Sequence, residues 1–181
     1  FQFAQYVAAS LAYLMLHQRD AVGMTLHDTQ IREVIRPKAT SKHLLHLLRA
    51  LDATSPGGET ALAPLWHQVA EQLKQRSLVI ILSDCFGETA GLLRALQHLR
   101  HRRHEVLLFH ILAPEEIEFP FTKWTQFRNL EVAGDRKLVD PHQLRKEYLA
   151  NFNRFLQELR ETCNRTHVDY FQLRTDEPVE R

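Results

Sequence analysis

The sequence predicts a doubly wound α/β fold, a mostly parallel sheet with helices on both faces. Three observations carry this. Leu78-Val79-Ile80-Ile81-Leu82 is an unbroken apolar run that stops at Ser83-Asp84. A strand without alternation is one covered on both faces. Glu105 to Leu112 is a second near-continuous run of the same kind. Finally, strand-like segments alternate with helical ones of roughly 12 to 20 residues, the rhythm of parallel strands joined by crossover helices.

The elements follow in order. Phe3, Val7, Leu11 and Leu14 recur at spacings of three and four, which predicts a helix over 3–17 with Tyr6 and Tyr13 on its other side. Val22, Met24 and Leu26 alternate as a strand over 20–27, and Asp28-Thr29 make a turn. Residues 30–36 form its hairpin partner, an antiparallel edge strand ended by Pro37. Ser41 caps a helix carrying Leu44, Leu45, Leu47, Leu48 and Leu51. Ser55-Pro56-Gly57-Gly58-Glu59-Thr60 is the most loop-like stretch. A helix over 61–74 follows, with Pro64 in its first turn, where a missing N–H is tolerated.

After the strand at 78–83, Leu92, Leu93, Leu96 and Leu99 mark one face of another helix, and the strand at 105–112 comes next. Residues 114–139 read as a small insertion. Glu115, Glu116 and Glu118 precede Phe119-Pro120-Phe121, and a hairpin of 127–132 and 136–139 turns at 133–135. Asp140-Pro141 with Gln143 is a strong helix start. That helix carries Leu144, Tyr148, Phe152, Phe155, Leu159 and Cys163 on one face, and a last strand spans 168–173. Residues 1–181 form one domain on this reading. The chain opens at Phe1 already inside a helical pattern without a cap, so an incomplete N-terminus is expected.

Composition excludes several classes. A chain of 181 residues buries roughly 70% of its unfolded surface. With 44% hydrophobic and 25% charged residues it is not dominated by disorder. A net charge of +1 gives no global attraction to nucleic acid or anionic lipid. Two cysteines, Cys85 and Cys163, suit a reducing compartment, so a cytoplasmic location is expected. No apolar run reaches about 18 residues, so no membrane span is expected.

The candidate chemistry lies at strand and helix ends. In open α/β sheets ligands sit beyond the carboxyl ends of the strands. Asp84 ends a core strand, and Thr60 follows two glycines at a helix start. A hydroxyl and a carboxylate on converging loops suit a hard divalent cation such as magnesium. Each taken singly also serves as a helix cap. Among the 11 histidines, His98, His101 and His104 sit with Arg100, Arg102 and Arg103. Positive charge at a helix C-terminus explains that cluster. With no aromatic interleaving, no nucleic-acid partner is expected. His43 and His46 share a helix turn without further ligands for zinc. Cys85 stands where α/β enzymes place nucleophiles, so a hydrolase using Cys85 or Asp84 is the alternative reading. It requires a base such as His110.

Arg19-Asp-Ala-Val-Gly23, Pro56-Gly-Gly-Glu-Thr60, Ser83-Asp84, Glu118-Phe-Pro-Phe121 and Thr175-Asp-Glu-Pro178, in this order and spacing, give the chain its likeness. It resembles the von Willebrand factor A-like bacterial proteins of domain-of-unknown-function family fifty-eight over nearly its whole length. The resemblance implies a non-enzymatic protein-interaction module with a metal-ion-dependent adhesion site that holds magnesium. Thr60 matches the threonine of the second loop and Asp84 the aspartate of the third. Gly58 and Ser83 stand beside them as binding positions. The first loop's Asp-x-Ser-x-Ser motif is absent and would lie about 15 residues before Phe1. Metal binding by this chain alone is therefore expected to be weak or absent. The first central strand is missing with it, leaving a gap between 20–27 and 78–83 that another chain, or a second copy, could fill. The family resemblance also implies a MoxR-type AAA+ ATPase as partner, in the assembly or maturation of other proteins. Phe119, Phe121 and Trp124 either form an exposed partner surface or cover one end of the sheet.

Overall fold

Two apolar runs and one long amphipathic helix organise the molecule. The structure is a computed structural model, and it describes residues 1–28, 30–55, 62–86, 89–128 and 136–178. The elements run α1 Gln2–His17, β1 Val22–His27, β2 Ile31–Lys38, α2 Ser41–Ala53, α3 Leu62–Gln72, β3 Leu78–Ser83 and α4 Thr89–His101. They continue with β4 Glu105–Leu112, α5 Pro114–Glu118, β5 Thr125–Arg128, β6 Arg136–Val139, α6 Pro141–Thr166 and β7 Asp169–Arg174.

Strands β3, β4 and β7 form a parallel sheet in that order. Its register runs from Leu78 opposite Glu105 to Ser83 opposite His110, and from Leu107 opposite Asp169 to Leu112 opposite Arg174. Ile81, Val106 and Leu108 point to one face and pack with Leu65, Trp66 and Ala70 of α3, Leu92, Leu96 and Leu99 of α4, and Leu159 and Cys163 of α6. Full burial of each large side chain here stabilises the fold by roughly 2 kcal/mol. The other face differs from expectation. Helix α1 reaches β3, but Phe171 is half exposed, its ring tilted against Phe109 at 5.5 Å in a layer that is not fully covered.

The hairpin stands apart, as the gap expected between 20–27 and 78–83 implies. β1 and β2 pair with each other as a separate two-stranded sheet and, among the described residues, do not join the parallel one as an antiparallel edge. They share a second core with Ala12 and Leu16 of α1 and Leu47 and Ala50 of α2. Helix α1 touches both β1 and β3, so the two sheets share a covering helix without a ladder bond between them among the described residues. Pro37 lies inside β2 and does not end it. The ladder is irregular between Val22 and Met24, and a Cβ at Gly23 would sit 2.8 Å from the Ile35 carbonyl and 2.9 Å from the Pro37 ring. Proline is tolerated in a strand at such an irregularity, and here only glycine leaves it room.

The helix ends explain themselves locally. Asp140 accepts a hydrogen bond from the His142 N–H at 3.0 Å and Pro141 opens α6, as its sequence predicts. Besides α5, which ends on Phe119 with φ of 45°, three helices close with a residue in the left-handed region: Arg19, Arg103 and His167, with φ of 66°, 66° and 55°. At each, two successive N–H groups turn back to the last carbonyls of the helix, as in Asp20 to Met15, His104 to Leu99 and Val168 to Cys163. Two smaller expectations change. Thr40, not Ser41, precedes α2, and Leu14 is exposed while Val7, Ala12 and Leu16 form the buried side of α1.

Candidate functional site

The carboxyl end of β3 delivers Ser83 and Asp84 to the rim of the parallel sheet. The chain then turns sharply at Cys85, whose φ is 57°. Two side chains fix the turn from within: Ser83 Oγ accepts from the Cys85 N–H at 3.0 Å, and Asp84 Oδ1 accepts from the Phe86 N–H at 3.2 Å. These are the local turns that short polar side chains favour.

A buried histidine pins the same loop. His110 lies on β4 opposite Ser83, and its Nε2 meets the Asp84 carbonyl at 2.8 Å. A carbonyl can only accept, so Nε2 carries the proton and Nδ1 accepts from the Tyr170 hydroxyl at 2.8 Å. Burial lowers the His110 pKa, opposed by its bond to the Asp84 backbone and by the Asp84 charge. The ring is therefore neutral in this arrangement. Burial pushes the Tyr170 phenol up to about 12. Sequence reading left the direction of His110 open; the alternation Val106, Leu108, His110 on the buried face of β4 was the signal for it.

Asp84 itself is exposed, and among the described residues it makes no ion pair. A loop held by these hydrogen bonds thus presents a carboxylate to solvent at the carboxyl-end rim of the sheet. Glu116 is a neighbour that the sequence did not single out. Its Oε2 accepts from the Ala113 N–H at 2.6 Å, closing α5 on itself. Burial raises its pKa, and the Asp84 charge adds in the same direction, which places the two carboxyl groups within electrostatic reach. Among the described residues no three histidine, cysteine, aspartate or glutamate side chains cluster to hold a metal ion. Asp84 has the hard oxygen chemistry a divalent cation requires, but Ser83 and Glu116 are each already accepting from a backbone N–H.

Thr60 and Gly58 lie outside the described residues. The exposed alternative for the aromatics is overturned at Phe119, which is 3% exposed. Its ring sits 4.8 Å from Tyr148 and 5.1 Å from Phe121, and Phe121 is 5.1 Å from Phe127. The reason is α6: Arg145 donates to the Phe119 and Glu118 carbonyls, and the Tyr148 hydroxyl donates to the Glu116 carbonyl. These bonds draw the segment onto the helix. Phe121 is half-buried, and Trp124 stands 67% exposed.

Cys85 is fully buried, and burial raises its thiol pKa far above the ordinary value. Both nitrogens of His110 are bonded elsewhere, so it is not placed to act as the base for Cys85. His43 is a satisfied core histidine, its Nε2 2.9 Å from the Val22 carbonyl.

Residues 2–156 match the family described as "Protein of unknown function DUF58". The chain belongs to the DUF58 family. Asp84, His110 and Glu116 lie inside the DUF58 match, whereas Tyr170 on β7 lies beyond it. No curated protein and no solved structure matches the chain. Among the described residues of this DUF58 protein, no helix is long and apolar enough to cross a membrane.

Proposed function

We propose that this DUF58 chain is a von Willebrand factor A-like interaction module whose carboxyl-end rim takes part in a metal-ion-dependent adhesion site. The observation that carries the reading is Asp84, an exposed carboxylate without an ion-pair partner among the described residues, on a loop hydrogen-bonded to His110, which Tyr170 supports in turn. In this reading Asp84 and the Thr60 hydroxyl hold a magnesium ion. The ion offers a coordination position that a partner's carboxylate completes, so binding becomes metal-dependent. The chain's own part is to keep the Asp84 backbone fixed and its carboxylate open.

A MoxR-type AAA+ ATPase is the proposed partner, in the assembly or maturation of other proteins. Of Phe119, Phe121 and Trp124, Trp124 is the one that remains exposed for such contact. The outer edge of β3 has no ladder partner among the described residues, and a strand from upstream sequence or from a second copy would extend the sheet there. Sedimentation at rising concentration tests the second copy, and a monomer throughout removes it. For the site, calorimetric titration with magnesium of a chain that also carries the first loop's Asp-x-Ser-x-Ser motif is expected to give binding that Asp84→Ala and Thr60→Ala abolish. Equal affinity with and without Asp84→Ala in that extended chain sinks the proposal. Capture of the ATPase should fail with chelator present; capture that ignores chelation separates the partnership from the ion.

A further inference from the structure

We infer that the cleft at the opposite, amino-terminal rim of the parallel sheet binds a phosphate-class oxyanion carried by a small molecule. This cleft, about 290 Å³, lies between the segment leading into β3 and the end of α4. Lys74, Gln75, Arg76, Arg102, Arg103 and His104 line it, and no carboxylate does. Two of the cations are compensated from outside: Arg76 pairs with Glu105 at 2.6 Å and Arg102 with Glu71 at 3.4 Å. Among the described residues Lys74 and Arg103 have no ion-pair partner, so the cleft keeps uncompensated positive charge.

His104 supplies an independent observation. It is 1% exposed, and its Nδ1 accepts from the Ser77 N–H at 3.3 Å. Nε2 therefore carries the proton as a donor, and this buried Nε2 has no hydrogen-bond partner among the described residues. Buried donors without acceptors are rare, and each calls for an explanation. An oxyanion in the cleft would account for this one once the lining side chains part to admit it to the closed-off N–H: it brings the missing acceptor and the counter-charge for Lys74 and Arg103 together. Phosphate fits better than a carboxylate because it offers more acceptor oxygens and a larger negative charge.

Arg103 stands at the lip of the cleft, in the left-handed turn that closes α4. The site favours a small molecule over a nucleic acid because its free donor lies buried at a single cleft, whereas a duplex is met by a row of exposed cations.

The test uses the 181-residue chain, nitrogen-15 labelled and titrated at constant ionic strength with inorganic phosphate, pyrophosphate and chloride. The expected result is a saturable shift of the His104 Nε2–H with both phosphates and none with chloride. Arg103→Gly and Lys74→Gln should each weaken binding by roughly fivefold or more. Arg103→Gly should fold at least as stably as the parent, since glycine suits the turn. Asp84→Ala should bind phosphate unchanged, which separates this rim from the adhesion-site reading. Equal shifts with chloride, or unaltered affinity in both cation variants, overturn the inference. So does duplex DNA that competes with phosphate with a steep salt dependence, which would give the cleft to nucleic acid.

Discussion

The two rims of the parallel sheet each hold a buried histidine, and the pair behaves oppositely. His110, at the carboxyl rim, is bonded through both nitrogens, to the Asp84 carbonyl and the Tyr170 hydroxyl. His104, at the amino rim, has one nitrogen on the Ser77 N–H and the other bare. Both are 1% exposed or less. The difference teaches that burial of a polar ring does not by itself reveal its role; completion of its hydrogen bonds does. His110 fastens a loop so that its neighbour Asp84 can face solvent. His104 holds an unused donor beside uncompensated cations.

Removing His110 should produce the largest effect. His110→Ala leaves a cavity and strips the Asp84 carbonyl and the Tyr170 hydroxyl of partners, so a loss of about 3 kcal/mol is expected in urea unfolding. A loss below about 1 kcal/mol would show that the pin does not hold the loop.

Acid should expose the same feature. The folded-state pKa of His110 is lowered from 6.5, chiefly by burial, and those of His27 and His104 are lowered too. The unfolded chain then binds more protons than the folded one below about pH 6.5, so stability is level above that pH and falls beneath it. Each such site contributes up to about 1.4 kcal/mol per pH unit. Unfolding midpoints of the parent and His110→Gln between pH 7 and 5 check this; identical slopes would remove His110 as a contributor.

Tyr170→Phe takes one bond from the same chain and keeps the ring, so it should cost about 1 kcal/mol. The smallest change is expected at the residue the pin serves. Asp84→Ala removes an exposed carboxylate and should shift stability by no more than about 0.5 kcal/mol. A much larger loss would make Asp84 a structural residue and weaken its reading as a ligand.

How much of this was legible beforehand depends on the distance over which each residue is decided. Asp140 and Pro141 announce α6 because a cap is settled within a few residues. The runs at 78–82 and 105–112 announce β3 and β4 because their patterns are local as well. Pro37 misled because the neighbour that tolerates it, Gly23, lies across the hairpin. Phe119 stayed open because the side chains that cover it arrive from α6. The gap between the hairpin and the parallel sheet followed from the family resemblance, because the sequence pattern describes each strand and leaves its lateral neighbour open. At the candidate site the strand end carrying Asp84 was visible, while the His110–Tyr170 support joins residues far apart in the chain.

The amino-acid order by itself determined the kinds of element, the cap of the long helix and the carboxylate that ends the first parallel strand. These depend on interactions spanning one turn or a few alternating residues. Only the tertiary structure decided which histidine is satisfied and which is left with a bare N–H. That outcome depends on the atoms that strand register and helix ends bring opposite each ring, and those atoms come from distant parts of the chain.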